Sequence, residues 1–155
     1  MMISIEKIKK LKIIDALLVS YDLILVENEF VIITDTVNSE LRSEYREFVK
    51  LKFSEVTNFK KTKGLYKPLG YVDRNFSCSE TEFHVILQDI SIEQVTEHRH
   101  SLSLWFGESF GGIEMDFVSC EMQNRVGQGE EISKGHWIYT DETTGELINF
   151  YHPFG

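Results

Sequence analysis

Cysteine and proline are scarce: Cys78, Cys120, Pro68 and Pro153 are the only four such residues in a chain of 155. Cys78 and Cys120 stand apart, without CxxC spacing. The pattern fits two thiols in a reducing cytoplasm, with a single Cys78–Cys120 disulfide as the alternative for a secreted chain. There is no Pro/Ser tract, repeat or low-complexity segment to mark a linker, so residues 1–155 read as one domain. A chain of this length buries roughly 70% of its unfolded surface and needs no metal or disulfide for stability.

Long apolar runs are missing as well. The longest stretch free of Asp, Glu, Lys and Arg is Leu147–Gly155, nine residues, whereas a membrane-spanning helix needs about 20. The start carries Lys7, Lys9, Lys10 and Lys12, then an apolar run over Ile13–Val26 that Asp15 and Asp22 interrupt. No small-residue cleavage site follows it, so a signal peptide is not expected. Asn75-Phe76-Ser77 has the form of a glycosylation acceptor, which matters only if the chain is secreted. These features predict a cytoplasmic protein with no membrane partner.

Positive charge is in short supply. Sixteen Lys and Arg face 25 Asp and Glu, a formal net charge of -9. The deficit is one-sided. Residues 1–70 hold 12 basic and 10 acidic side chains, and residues 71–155 hold 4 and 15. Phosphates reward Lys and Arg, so nucleic acid is not an expected partner. An acidic half instead favours fast capture of basic proteins, though it also serves solubility.

Two periodicities are present. Ile5, Ile8, Leu11 and Ile14 recur at helical spacing between lysines, predicting a short amphipathic helix with Ser4 as its cap. From Leu17 the period becomes two. Leu17–Val26 and Phe30–Val37 predict a hairpin, with Asn28 in a turn that needs positive φ. Val49, Leu51 and Phe53 alternate with Lys50, Lys52 and Ser54 in a further strand. Lys60–Ser79, with Gly64, Pro68 and Gly70, reads as a long loop. Strands are predicted over Phe83–Ile92, His100–Phe106 and Ile113–Met122, and a closing hairpin pairs Trp137–Thr140 with Glu146–Tyr151. The whole is mainly β (α+β), with about eight strands arranged as a curved antiparallel sheet, sandwich or open barrel behind a short N-terminal helix.

Few motifs carry chemistry. Gly107-Glu108-Ser109-Phe110-Gly111 has the G-x-S-x-G form of a nucleophile elbow, with Asp116 or Asp141 and His136 or His152 following in triad order. An elbow needs a helix after the serine, and Gly112–Met122 alternates like a strand. The better reading is a Gly-rich hairpin loop. Glu97-His98-Arg99-His100 would place two imidazoles on one strand face, the beginning of a metal site that takes its third ligand from His84, His136, His152 or Asp116. No spacing selects that ligand, and the better reading is two ordinary imidazoles near a strand entrance, with Glu97 and Arg99 solvated. Gly127-Gln128-Gly129 lacks the third glycine and the βαβ unit of a dinucleotide site. The sequence thus gives no complete catalytic set and implies no cofactor.

Aromatics crowd the C-terminus: Trp137, Tyr139, Phe150, Tyr151 and Phe154. They read either as cross-strand pairs or as a binding anchor ringed by Glu130, Glu131, Asp141 and Glu142.

In the first half, Asp15-Ala16 precedes the long hairpin with Tyr21-x-Leu23-x-Leu25, and Phe48-Val49-Lys50-Leu51-Lys52-Phe53-Ser54-Glu55-Val56 follows it. In this order the chain resembles small bacterial proteins of the YxiG-like and immunity-protein groups encoded near polymorphic toxin genes. The resemblance covers the first 60 residues and part of the closing hairpin. It implies a non-enzymatic, β-rich protein that neutralises a toxin by binding it. Together with the charge map, this predicts a basic protein partner held by Glu114, Asp116, Glu121, Glu130, Glu131, Asp141 and Glu142. The alternative is a small metal- or ligand-binding barrel, or a hydrolase-like enzyme, using His98 and His100 or Ser109.

Overall fold

Period-two alternation governs the architecture. The computed structural model describes residues 4–10, 16–36, 45–63, 75–77, 85–108, 110–134, 136–150 and 152–155, and within these it has one short helix and eleven strands. Helix α1 is Ile5–Lys10. The strands are β1 (Leu17–Ile24), β2 (Glu29–Thr36), β3 (Tyr45–Ser54), β4 (Thr57–Lys63), β5 (Asn75–Ser77), β6 (Asp89–Gln94), β7 (His100–Trp105), β8 (Gly111–Phe117), β9 (Ser119–Ser133), β10 (His136–Asp141) and β11 (Leu147–Ile148). They form two antiparallel sheets. The larger is curled, in the order β11-β10-β9-β3-β2-β1-β5, and the smaller runs β4-β8-β7-β6.

The two sheets share one folded ribbon. β3 pairs with β9 from Tyr45↔Gln128 to Ser54↔Ser119, and the same two chains continue as β4 paired with β8 from Thr57↔Asp116 to Lys63↔Gly111. The ribbon turns its corner at Glu55–Asn58. Glu55 (φ 54°) and Asn58 (φ 54°) both adopt left-handed backbone there, a conformation that Asn tolerates and Glu adopts only at a cost. Arg99 Nη1 donates to Glu55 O (3.1 Å) and Thr57 Oγ1 (2.8 Å), and Asn58 Nδ2 donates to Asp116 Oδ2 (2.8 Å). These bonds hold the corner in its strained form.

The core lies between the sheets. Leu18, Tyr21, Phe30, Ile32, Leu51 and Phe53 of the larger sheet meet Ile92, Leu102, Leu104, Ile113, Met115 and Phe117 of the smaller. The Phe53 and Phe117 rings pack edge to face at 4.8 Å, adding to their burial. Ile8 is fully buried and brings α1 onto this core, while Lys7 and Lys9 stay exposed. Ser4 Oγ caps the helix by accepting from the Lys7 N–H (3.2 Å), as the sequence predicts.

The predicted β1–β2 hairpin and its turn at Asn28 (φ 53°) are present. Several boundaries are corrected. Lys60–Lys63 belongs to β4 and Asn75–Ser77 forms β5, and residues 64–74 and 78–79 of the predicted loop lie outside the described ones. The expected strand over Ile113–Met122 breaks at Val118, where the ribbon passes from one sheet to the other, and β9 runs on to Ser133. The helix ends at Lys10 among the described residues, with 11–15 outside them. The strand expected over Phe83–Ile92 begins at Asp89, preceded by an isolated bridge from Ile86 to Leu17.

Candidate interaction surface

The outer face of the larger sheet, turned away from the core, carries its own covering layer. Arg46, Phe48, Lys50 and Lys52 of β3 share this face with Gly127, Arg125, Gln123 and Glu121 of β9, their register partners. After β11 the chain leaves the sheet line through a turn in which the His152 N–H donates to Asn149 O (3.1 Å). It then folds back over this face. Phe150 packs edge to face on buried Phe48 at 6.0 Å, Lys50 Nζ stands 6.0 Å from the Phe154 ring centre, and Arg125 Nη1 donates to Pro153 O (2.8 Å). Gly127 makes this close approach possible. A Cβ there would lie 3.1 Å from Ile148 Cδ1 and 3.3 Å from Tyr139 Cβ. The missing side chain also lets Arg46 reach across β9 to β10, where its Nε donates to Tyr139 Oη (3.1 Å).

At the far end of the same sheet the cover is incomplete. β3 ends its pairing at Tyr45↔Gln128, but β9 continues through Gly129–Ser133 with β10 alongside. Among the described residues this makes a two-stranded ribbon that projects past β3. Its bulge falls at Ile132, between the pairs Trp137↔Glu131 and His136↔Ser133. Ile132 is 51% exposed, Trp137 43% and Leu147 67%. Ile132 and Trp137 stand together at the bulge of the ribbon, and Leu147 lies on the neighbouring edge strand with its side chain on the opposite face from Trp137. Between β10 and the returning tail lies a shallow cleft of about 390 Å³, lined by His136, Trp137, Ile138, Tyr139, Leu147, Ile148 and Phe150. Glu130, Glu131, Glu142 and Glu146 are exposed around it, with Lys134 and His136 at the ribbon tip.

The structure does not gather the seven predicted acidic residues. Glu114 and Asp116 lie on the outer face of the smaller sheet, and Asp116 accepts the Asn58 bond at the ribbon corner. Glu121 is engaged by Lys52 Nζ (3.2 Å), which also reaches Glu29 (3.4 Å). Asp141 is occupied inside the fold. Its Oδ2 accepts from Arg125 Nε (2.6 Å) and its Oδ1 from the N–H groups of Thr143 and Thr144. The Arg125 bond first, then these two, hold its carboxyl below the usual range. Only Glu130, Glu131 and Glu142 stand free beside the cleft. Glu130 and Glu131 are consecutive in a strand and point to opposite faces of the ribbon.

The alternative sites also separate. His98 lies in the β6–β7 turn, highly exposed, 4.0 Å from the Glu97 carboxylate. His100 opens β7 with its ring 5.6 Å from that of Phe117. The two imidazoles therefore do not share one strand face, contrary to the sequence expectation, because the turn intervenes. No trio of metal-ligating side chains comes together among the described residues. The G-x-S-x-G segment closes a hairpin loop, with the Gly111 N–H donating to Gly107 O (2.8 Å) and strand β8 following; Ser109 itself lies outside the described residues. Cys120 is a buried free thiol, pushed up to about 12 by burial and by Glu121. Cys78 lies outside the described residues. No helix among those described is long and apolar enough to cross a membrane.

Sequence reasoning singled out Trp137, Glu130, Glu131 and Glu142 here but missed Ile132 and Leu147. Ile132 sits between Glu131 and Ser133, and Leu147 stands next to Ile148 in the predicted closing strand, where the pattern does not separate the exposed residue from the buried one. Compared with known proteins, the chain matches no family model, no curated protein and no solved structure.

Proposed function

We propose that this chain is a non-enzymatic binding protein of the cytoplasm that takes a basic protein partner, and that it acts as an immunity protein neutralising a toxin. The observation that carries the binding reading is the projecting β9–β10 ribbon, where Ile132 and Trp137 are exposed beside Glu130 and Glu131, with exposed Leu147, Glu142 and Glu146 on the adjoining β10–β11 hairpin. Apolar anchors inside a charged rim are the usual anatomy of a protein interface. The carboxylates steer a basic partner, and the aromatic and aliphatic side chains supply the contact that outlasts the encounter. Toxic nucleases are basic because they hold phosphates, which makes them suitable partners for such a rim.

The test is capture from native cells with the tagged chain, washed at low salt and eluted at high salt. A basic protein should be retained by the wild type and by an E93K/E114K control. An E130K/E131K/E142K variant should lose it. Equal retention by all three would remove the ribbon from the interface, and capture of no basic protein would end the binding reading.

A further inference from the structure

We propose that the uncovered edge of β10 takes up an extended segment of the partner as an added antiparallel strand, and that this segment alternates apolar and basic side chains. The inference rests on the protein-binding reading and names how the partner is held.

The edge is defined by what β11 leaves bare. β11 pairs with β10 only at Tyr139↔Ile148 and Thr140↔Leu147. The chain then turns away at Asn149–His152 and is tied down over the outer face by Phe150 on Phe48 and by Arg125 on Pro153. None of the described tail residues is paired with β10 at His136–Ile138, and no other strand lies there among the described residues.

Backbone direction follows from one bond. The Asp141 N–H donates to Glu146 O (2.8 Å), so residue 141 faces the β11 side. Alternation along β10, which has no bulge of its own, turns the N–H and C=O of Tyr139 and Trp137 to that same side. Tyr139 meets β11; Trp137 lies past its end. An added strand would complete the ladder at Trp137. Sheet edges are usually blunted by Pro, Lys or a covering loop. Among the described residues His136-Trp137-Ile138 has none of these and presents an exposed Trp instead.

The side-chain chemistry of the occupant follows from the two faces of this edge. On the outer face an incoming side chain opposite Trp137 enters the cleft lined by Trp137, Tyr139, Ile148 and Phe150, which favours an apolar group. On the other face its neighbour lies beside Ile138, and Glu130 stands one strand further in. A long basic side chain spans that distance, since strands lie about 4.8 Å apart. A second copy of this chain is a poor occupant, because it carries the same formal net charge of -9.

The probe is an acetylated, amidated octapeptide of alternating Lys and Val, titrated against the full chain by fluorescence polarisation at low salt. Binding is expected, with at least a tenfold loss for a Glu/Val peptide and for the E130K/E131K protein. Methylating the Val amides, which face β10 in the antiparallel register, should weaken binding at least tenfold. Methylating the Lys amides should change it less than twofold. Absence of binding, equal effects of the two methylations, a loss confined to the Lys amides, or dimerisation of the free chain through this edge would each overturn the inference. The capture experiment decides the binding reading separately. A basic partner lost on charge reversal, together with no peptide binding, would leave that reading standing and remove the added strand.

Discussion

Asp35 Oδ2 accepts a 2.9 Å hydrogen bond from Arg46 Nη1 while the Asp35 side chain is wholly shielded from water, and its Oδ1 has no partner among the described residues. Arg46 continues the chain to Tyr139 across Gly127, so one guanidinium ties β2 and β3 to β10 beneath the C-terminal tail. The pair sets the position of β10, the strand whose edge is left open.

Burial outweighs Arg46 and pushes the Asp35 carboxyl up to about 6. The folded state therefore holds this proton more tightly than the unfolded state does. Stability associated with Asp35 is fullest below the unfolded value near 3.8 and falls as pH rises through about 6. Between pH 7 and pH 5 the wild type should gain about 1 kcal/mol over an Asp35→Asn variant, as read from urea unfolding at both pH values. Parallel pH profiles for the two proteins would refute the burial argument.

Arg125 joins three parts of the outer layer: Asp141 in β10, Glu146 before β11 (3.4 Å) and the carbonyl of Pro153 in the tail. Arg125→Ala should lower the melting temperature by about 3 °C, roughly 1 kcal/mol for a chain of this size. It should also release the tail, so that limited proteolysis cuts after Phe150 sooner than elsewhere. Arg125→Lys should rescue neither property, because an ammonium cannot reproduce the planar fork that serves three acceptors. A tail equally resistant in all three proteins would show that Phe150 and Pro153 hold it unaided.

Gly112 is the cross-strand partner of Trp105, and a Cβ there would stand 2.9 Å from the Leu104 carbonyl and 3.0 Å from Trp105 Cε3. The indole thus lies over the bare backbone of β8. Gly112→Ala should displace it, costing about 1–3 kcal/mol by overpacking and shifting Trp105 emission to the red. The shift should be resolved in a Trp137→Phe background. Unchanged emission and stability would mean that the sheet yields at this point without effect.

Alternation was a reliable guide where one face of a strand is buried. Ile113, Met115 and Phe117 are buried in β8 and Glu114 and Asp116 lie on its other side, as their spacing implies. β4 escaped the same reasoning because it is the edge of the smaller sheet, and Thr57–Lys63 carries Phe59 as its single large apolar residue. The length of β9 was hidden by Gly127 and Gly129, which look like breaks in a sequence. Gly127 is in fact the gap through which Arg46, Tyr139 and the tail converge. For the candidate surface, the aromatic and acidic character of the C-terminal region was legible, but its division was not. Whether an acid is free depends on a long-range partner, and Arg125, sixteen residues before Asp141, takes that carboxylate out of the surface set.

The ribbon shared by the two sheets also orders the folding of the chain. The β1–β2 and β6–β7 hairpins close between near neighbours, whereas the ribbon joins residues 45–63 to residues 111–128, with the intervening chain looped out between them. Closing a long loop costs entropy before its contacts repay any of it, so such pairings come late and slowly. The two sheets have no independent route to docking, because the strands that would dock are the strands they hold in common. The pairing of Ser54 with Ser119 and the bend at Glu55 therefore belong to both sheets at once.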